Sequence, residues 1–194
     1  MLNPAPQRVP AWRRETRAAL LSERQKLSPE HHHRASKAIE GLLKDLLKTI
    51  PARIVSAYWP FSAEVDLRGL MDELRAGGRI TALPAVVRPR APLEFLRWTS
   101  GAEMHSGAYG IPVPRVRDVV TPEVVIAPLV GFDRGNYRLG YGGGFFDITL
   151  SAMRPRPRTI GIGFELSRLD TIHPEETDIP MDFIVTEAGI HSRA

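Results

Sequence analysis

Short apolar runs rich in β-branched residues alternate along this chain with amphipathic helical stretches, and that alternation constrains the fold more than any other feature. "RIVSAYW" (53–59), "RITALPAVV" (79–87), "LEFLRW" (93–98), "EVVIAPLV" (123–130), "RTIGIGFE" (158–165) and "MDFIVTEAG" (181–189) read as strands. Residues 11–27 place Trp12, Thr16, Ala19, Leu20 and Leu27 near helical spacing. A second helix follows Ser28 as N-cap and Pro29 at the first helical position; Ala35, Ile39, Leu42, Leu43, Leu46, Leu47 and Ile50 share one stripe until Pro51 stops it. Asp66 caps a third helix that finishes at Gly77 and Gly78, and residues 145–153 form a fourth. Helices interleaved with such strands imply an α/β fold with a mostly parallel sheet. The 194 residues suffice for one domain with a sizeable core. Its body is expected over residues 11–190, with residues 1–10 as a flexible N-terminal segment.

Zero cysteines exclude disulfides, thiolate metal sites and a cysteine nucleophile, which suits a cytoplasmic location. No apolar run reaches the length of a membrane span, and the first residues, "MLNPAPQRVPAW", lack the apolar stretch of a secretory signal. The net charge of +4 is concentrated as an excess of cations in the first sixty residues, and no lysine follows Lys48, so lysine chemistry is excluded beyond it. A basic end can attract nucleic acid. Without an aromatic platform, and with an acidic balance after residue 60, an RNA-associated protein is only an alternative here. His31, His32 and His33 point about 100° apart on a helix and cannot converge on one ion, so they read as a solvated face.

The chemistry-bearing segment is "RLGYGGGFFD" (138–147), which follows a strand and opens a helix. Glycines at the carboxyl edge of a parallel sheet let backbone N–H groups approach an anion, and a helix N-terminus adds favourable dipole. Neither the P-loop nor the GxGxxG template fits: no lysine follows, and Phe145 occupies the last glycine position. On the glycines alone a structural turn is as compatible as a phosphate cradle. The flanks shift the balance. Arg138 can present a planar fork to phosphate oxygens and Asp147 can hold a hard cation, so the segment reads as a seat for a nucleoside triphosphate with Mg²⁺.

"APLVGFDRGNYRLGYGGGFFD" resembles the signature of the 5-formyltetrahydrofolate cyclo-ligase family. "RRETR" (13–17), "YWPFSAEVD" (58–66), "YGIPVP" (109–114) and "HPEETDIPMDFIVTE" (173–187) resemble further family segments in the right order. The resemblance implies a three-layer α/β/α sandwich in a single domain, and ATP-dependent closure of 5-formyltetrahydrofolate to 5,10-methenyltetrahydrofolate with release of ADP and phosphate. It places Arg13, Arg17, Arg138, Leu139, Gly140, Tyr141, Gly142, Gly143, Gly144, Phe145 and Phe146 around ATP. Trp59 and Glu64 would contact the reduced folate, together with Tyr141, Gly142, Gly143, Gly144 and Phe145. Asp147 and Asp178 would bind Mg²⁺, and Arg138, Tyr141 and Phe145 would surround the reacting centre. A monomer without nucleic-acid or membrane partners is expected.

The sequence also departs from the family pattern. Phe145 and Phe146 stand where a tyrosine pair is usual, Val113 replaces a glutamate, Ser167 replaces a glutamine, and the glycine of "DRGNYR" comes one place early. These differences keep two alternatives open: a folate- or nucleotide-binding paralogue without turnover, and an ATP-dependent enzyme acting on a related N-formyl substrate.

Overall fold

The computed structural model describes residues 8–193. Four α-helices form: α1 (Val9–Gln25), α2 (Pro29–Thr49), α3 (Arg68–Ala76) and α4 (Phe145–Ala152). Twelve strands accompany them. β1 (Ile54–Ser56), β2 (Ile80–Ala85), β3 (Glu94–Arg97), β6 (Val119–Val120), β7 (Val124–Pro128), β10 (Arg158–Ile162), β11 (Phe183–Thr186) and β12 (Gly189–Ser192) build the main sheet. β4 (Met104–Ser106) pairs with β5 (Pro112–Pro114), and β8 (Gly131–Phe132) with β9 (Arg138–Leu139).

The central strands run β2-β1-β7-β10-β11, and all four of their pairings are parallel. β3, β6 and β12 extend the edges antiparallel. In chain order the parallel strands read second, first, third, fourth, fifth, so connections leave β1 and β7 in opposite directions. α3 covers one face with α2, where Leu70, Met71, Ile39 and Leu43 pack on Val55, Val124, Ile126 and Ile160. α4 covers the other, with Leu150 against Val125, Ala127 and Ile184. That is the three-layer α/β/α arrangement. A crevice opens outside the carboxyl ends of β1 and β7, where such sheets collect ligands.

Ser28 caps α2 as its spacing implies, its Oγ accepting from the His31 N–H at 3.2 Å. Three details differ from the sequence reading. β1 stops at Ser56, and residues 58–66 fold back as a loop instead of continuing to Trp59. Leu67, not Asp66, is the N-cap of α3; Asp66 accepts from the N–H of Arg68, two residues on. In α1 the apolar residues at helical spacing are at most half-buried, and the buried residue is Arg24. The reason is that α1 lies over polar loops rather than over the sheet. It begins at Val9, and residues 1–7 of the expected flexible segment lie outside the described residues. His31 and His33 are exposed as expected, but His32 is not free: its Nε2 meets the Ala63 carbonyl at 2.9 Å, and its ring packs on Phe164.

Candidate functional site

The loop after β1 is shaped to present one carboxyl. Tyr58 stays buried and donates its hydroxyl to the Val65 carbonyl at 3.0 Å. Ser62 and Ala63 then adopt φ of 48° and 58°, a left-handed conformation costing roughly 1–2 kcal/mol for a residue with a Cβ. This strain delivers Glu64 into the crevice with 8% exposure, its Oε2 accepting from the Phe61 N–H at 2.8 Å and its Oε1 from the Tyr141 hydroxyl at 2.5 Å. Burial pushes Glu64 up to about 7, against the pull of those two bonds and of the Arg24 charge. Each carboxyl oxygen retains acceptor capacity for a further donor.

The glycine segment forms the opposite wall. Asp133 anchors its approach: Oδ1 accepts from the Gly135 and Tyr137 N–H groups, and Oδ2 from the Ile172 N–H. Arg138 is buried, donates from Nη2 to Asp147 Oδ2 at 2.9 Å and lies 5.1 Å over the Phe146 ring. Its Nε has no partner. Gly142 and Gly144 have φ of 100° and 66°, and a Cβ on Gly140 would come 2.6 Å from Arg138 Nη1. The bare backbone is therefore required by geometry. Residues 141–144 are nonetheless exposed to the crevice, which separates this segment from a sealed structural turn.

α1 closes the third side with cations. Arg13 donates to the Ile172 and His173 carbonyls and pairs with Asp178 at 2.5 Å, while Arg17 Nε donates to the Gly140 carbonyl at 2.7 Å. Burial and the neighbouring Arg13 charge hold the Arg17 pKa down; burial does the same to Arg138, opposed by Asp147 and Asp178. Three crowded guanidinium groups call for anionic charge. Every candidate site residue lines one cavity of about 950 Å³: Arg13, Arg17, Trp59, Glu64, Arg138, Leu139, Gly140, Tyr141, Gly142, Gly143, Gly144, Phe145, Phe146, Asp147 and Asp178.

Asp147 and Asp178 belong to one end of this cavity, because the N–H of Ile179, next to Asp178, donates to Asp147 Oδ1 at 3.1 Å. Among the described residues no three histidine, cysteine or carboxylate side chains form a self-sufficient metal cluster. Two carboxylates beside an open glycine wall do fit magnesium, which takes one or two carboxylates and fills its other positions with phosphate and water.

Three lining or supporting residues escape the sequence reading. Arg24 is 3% exposed and donates to the Leu129 carbonyl at 2.6 Å and the Tyr141 hydroxyl at 3.2 Å. Its signal was its place seven residues after Arg17, on the same helical face. Tyr109, 73% exposed with φ of 59°, meets the Phe145 ring edge-on across the cavity mouth. Phe61 packs edge-on against Tyr141. No helix among the described residues is long and apolar enough to cross a membrane.

Comparison with known proteins agrees with this geometry. The 5-formyltetrahydrofolate cyclo-ligase family matches residues 9–187. The 5-formyltetrahydrofolate cyclo-ligase of Escherichia coli (strain K12) is 29% identical over 175 residues, covering 86% of this chain and 96% of its own. That of Haemophilus influenzae is 26% identical over 177 residues, covering 87% and 94%. The solved structure of Aquifex aeolicus 5,10-methenyltetrahydrofolate synthetase superposes with a TM-score of 0.79 at 30% identity, over 93% of this chain and 92% of that one. The Mycoplasma pneumoniae 5,10-methenyltetrahydrofolate synthetase shares the fold at a TM-score of 0.75 and 21% identity, over 90% and 98%. The family match runs from the first residue of α1 to just past β11, the last of the parallel strands, so the chain belongs to the 5-formyltetrahydrofolate cyclo-ligase family and is a cyclo-ligase enzyme.

Proposed function

We propose that the protein closes 5-formyltetrahydrofolate to 5,10-methenyltetrahydrofolate at the expense of ATP, with Mg²⁺ held by Asp147 and Asp178. The observation that carries this reading is the single crevice joining two unlike ends. One end is an open glycine wall between guanidinium groups and carboxylates; the other is a buried carboxyl beside aromatic rings.

A formyl oxygen is a poor leaving group. Transfer of the γ-phosphoryl group to that oxygen converts it into a phosphate ester and releases ADP. The lone pair of N10 then forms the new C–N bond, the C–O bond breaks toward the departing phosphate, and the N10 proton leaves with it. In-line phosphoryl transfer depends on positioning and charge neutralisation, so no nucleophilic side chain is required. Arg13, Arg17 and Arg138 supply positive charge to the triphosphate, and the amides of residues 140–144 approach its oxygens without side chains in the way. Magnesium at Asp147 and Asp178 would neutralise charge on the phosphates. Glu64 accepts N–H donors from the amino-pyrimidinone edge of the pterin. Trp59, whose ring lies 4.7 Å beneath the Arg68 guanidinium, packs beside that flat ring.

Substrate carrying ¹⁸O in the formyl group tests this route. The expected result is one labelled phosphate and one ADP per methenyl product, read by mass spectrometry. Product formation that leaves the label out of phosphate would contradict the phosphorylated intermediate. Nucleotide that protects the protein from heat, with no product at any enzyme concentration, would instead assign a binding paralogue.

A further inference from the structure

A flat heterocycle offering N–H donors needs an ionised acceptor, and the crevice works against one. Glu64 is almost fully buried, and burial raises its pKa, which stands at about 7 with the opposing pull of its neighbours already included. Besides the Phe61 N–H, two side chains oppose that tendency. The Tyr141 hydroxyl donates to Glu64 Oε1, and behind it Arg24 Nη1 donates to the same hydroxyl at 3.2 Å. With the guanidinium supplying its hydrogen bond, the phenol keeps its own proton aimed at the carboxylate. Burial and the Glu64 charge both raise the Tyr141 pKa, so it remains a donor. Arg24 is itself fixed, because its Nη2 is tied to the Leu129 carbonyl just past β7.

We propose that Arg24 is a positioning residue: through the Tyr141 hydroxyl it holds Glu64 in the ionised, accepting form that the N–H donors of a bound heterocycle require. The inference rests on the cyclo-ligase reading for the identity of that heterocycle, but the Arg24–Tyr141–Glu64 chain exists without it. Among the described residues, no other element packed around Glu64 supplies an equivalent cation. Tyr58 and Asp66 from its own loop add neutral and negative groups. α2 reaches the loop through His32, at the Ala63 carbonyl. In α1, Arg17 is directed to the Gly140 carbonyl.

The test is a ¹³C carboxyl NMR titration of the unliganded protein, with the Glu64 resonance assigned by its loss in Glu64→Gln. In the wild type the midpoint is expected near 7. Arg24→Met should raise it by about one pH unit, and Arg24→Lys should return it most of the way. Tyr141→Phe should raise it too, and because Tyr141 is exposed, that variant carries the test should Arg24→Met fail to fold. Affinity for 5-formyltetrahydrofolate, read by fluorescence quenching of the tryptophans, should show the same displacement along the pH axis. An unmoved Glu64 midpoint in both Arg24→Met and Tyr141→Phe overturns the proposal. So does folate affinity reduced by the same factor at every pH, the mark of a merely structural arginine. Wild-type protein that ignores 5-formyltetrahydrofolate while its Glu64 midpoint moves as described would sink the substrate assignment and leave the relay standing.

Discussion

Glu64 is held where its charge is disfavoured, and that has a consequence for stability. Its pKa is raised on folding from 4.5 to about 7, so between those values the folded chain binds more protons than the unfolded one. The stability associated with the protonated group is complete below about 4.5 and is lost as pH rises through 7. For a group this buried, the linked loss by pH 8 is on the order of 3 kcal/mol. Glu64→Gln, neutral at all pH, is therefore expected to be more stable than wild type at pH 8 and to lose that advantage at pH 4.5, by urea denaturation at both values. An advantage that persists unchanged at pH 4.5 would contradict the assignment. The position of Glu64 after a strand end was legible in "SAEVD". Its electrostatic state was not, since that depends on Tyr141 and Arg24, which are 77 and 40 residues away in sequence and meet only in the fold.

At the scale of elements, α1 shows why a periodic pattern can mislead about what it docks against. Its apolar residues recur near helical spacing, yet the helix is secured by Arg13, Arg17 and Arg24 to carbonyls and to one carboxylate in loops that follow the sheet. The short strands β6, β8, β9 and β12 were not foreseen for a related reason: two to four residues are too few to set a period, and their partners fix them. The loop between β8 and β9 depends on Asp133. That carboxylate, 5% exposed, satisfies N–H groups in its own loop and that of Ile172, whose carbonyl receives Arg13. Asp133→Ala strands these donors and is expected to cost on the order of 3 kcal/mol in urea denaturation. It should also raise the KM for ATP more than that for folate. Equal effects on both substrates would show that the loop serves the whole fold rather than the phosphate end.

Over the whole molecule, function follows from where the order of the parallel strands reverses. Because β1 and β7 are neighbours with connections to opposite faces, the loops after them part and leave the crevice that receives Glu64 from one side and the glycine wall from the other. The α/β class and the glycine wall were legible, since period and glycine content are local properties. The switch point was not, because strand order is decided by packing over long separations. Neither was the pairing of Asp147 with Arg138, nor of Asp178 with Arg13, in the resting site. On the proposed reading those pairs would open toward phosphate and metal, so a missing carboxylate should be felt in turnover before stability. The most direct measurement follows methenyltetrahydrofolate absorbance from 5-formyltetrahydrofolate, ATP and Mg²⁺, for wild type and Asp147→Ala. Wild-type turnover that requires both ATP and metal, and falls at least about a hundredfold in the variant, is the predicted result. Undiminished turnover in Asp147→Ala, or product formed without ATP, would contradict the account.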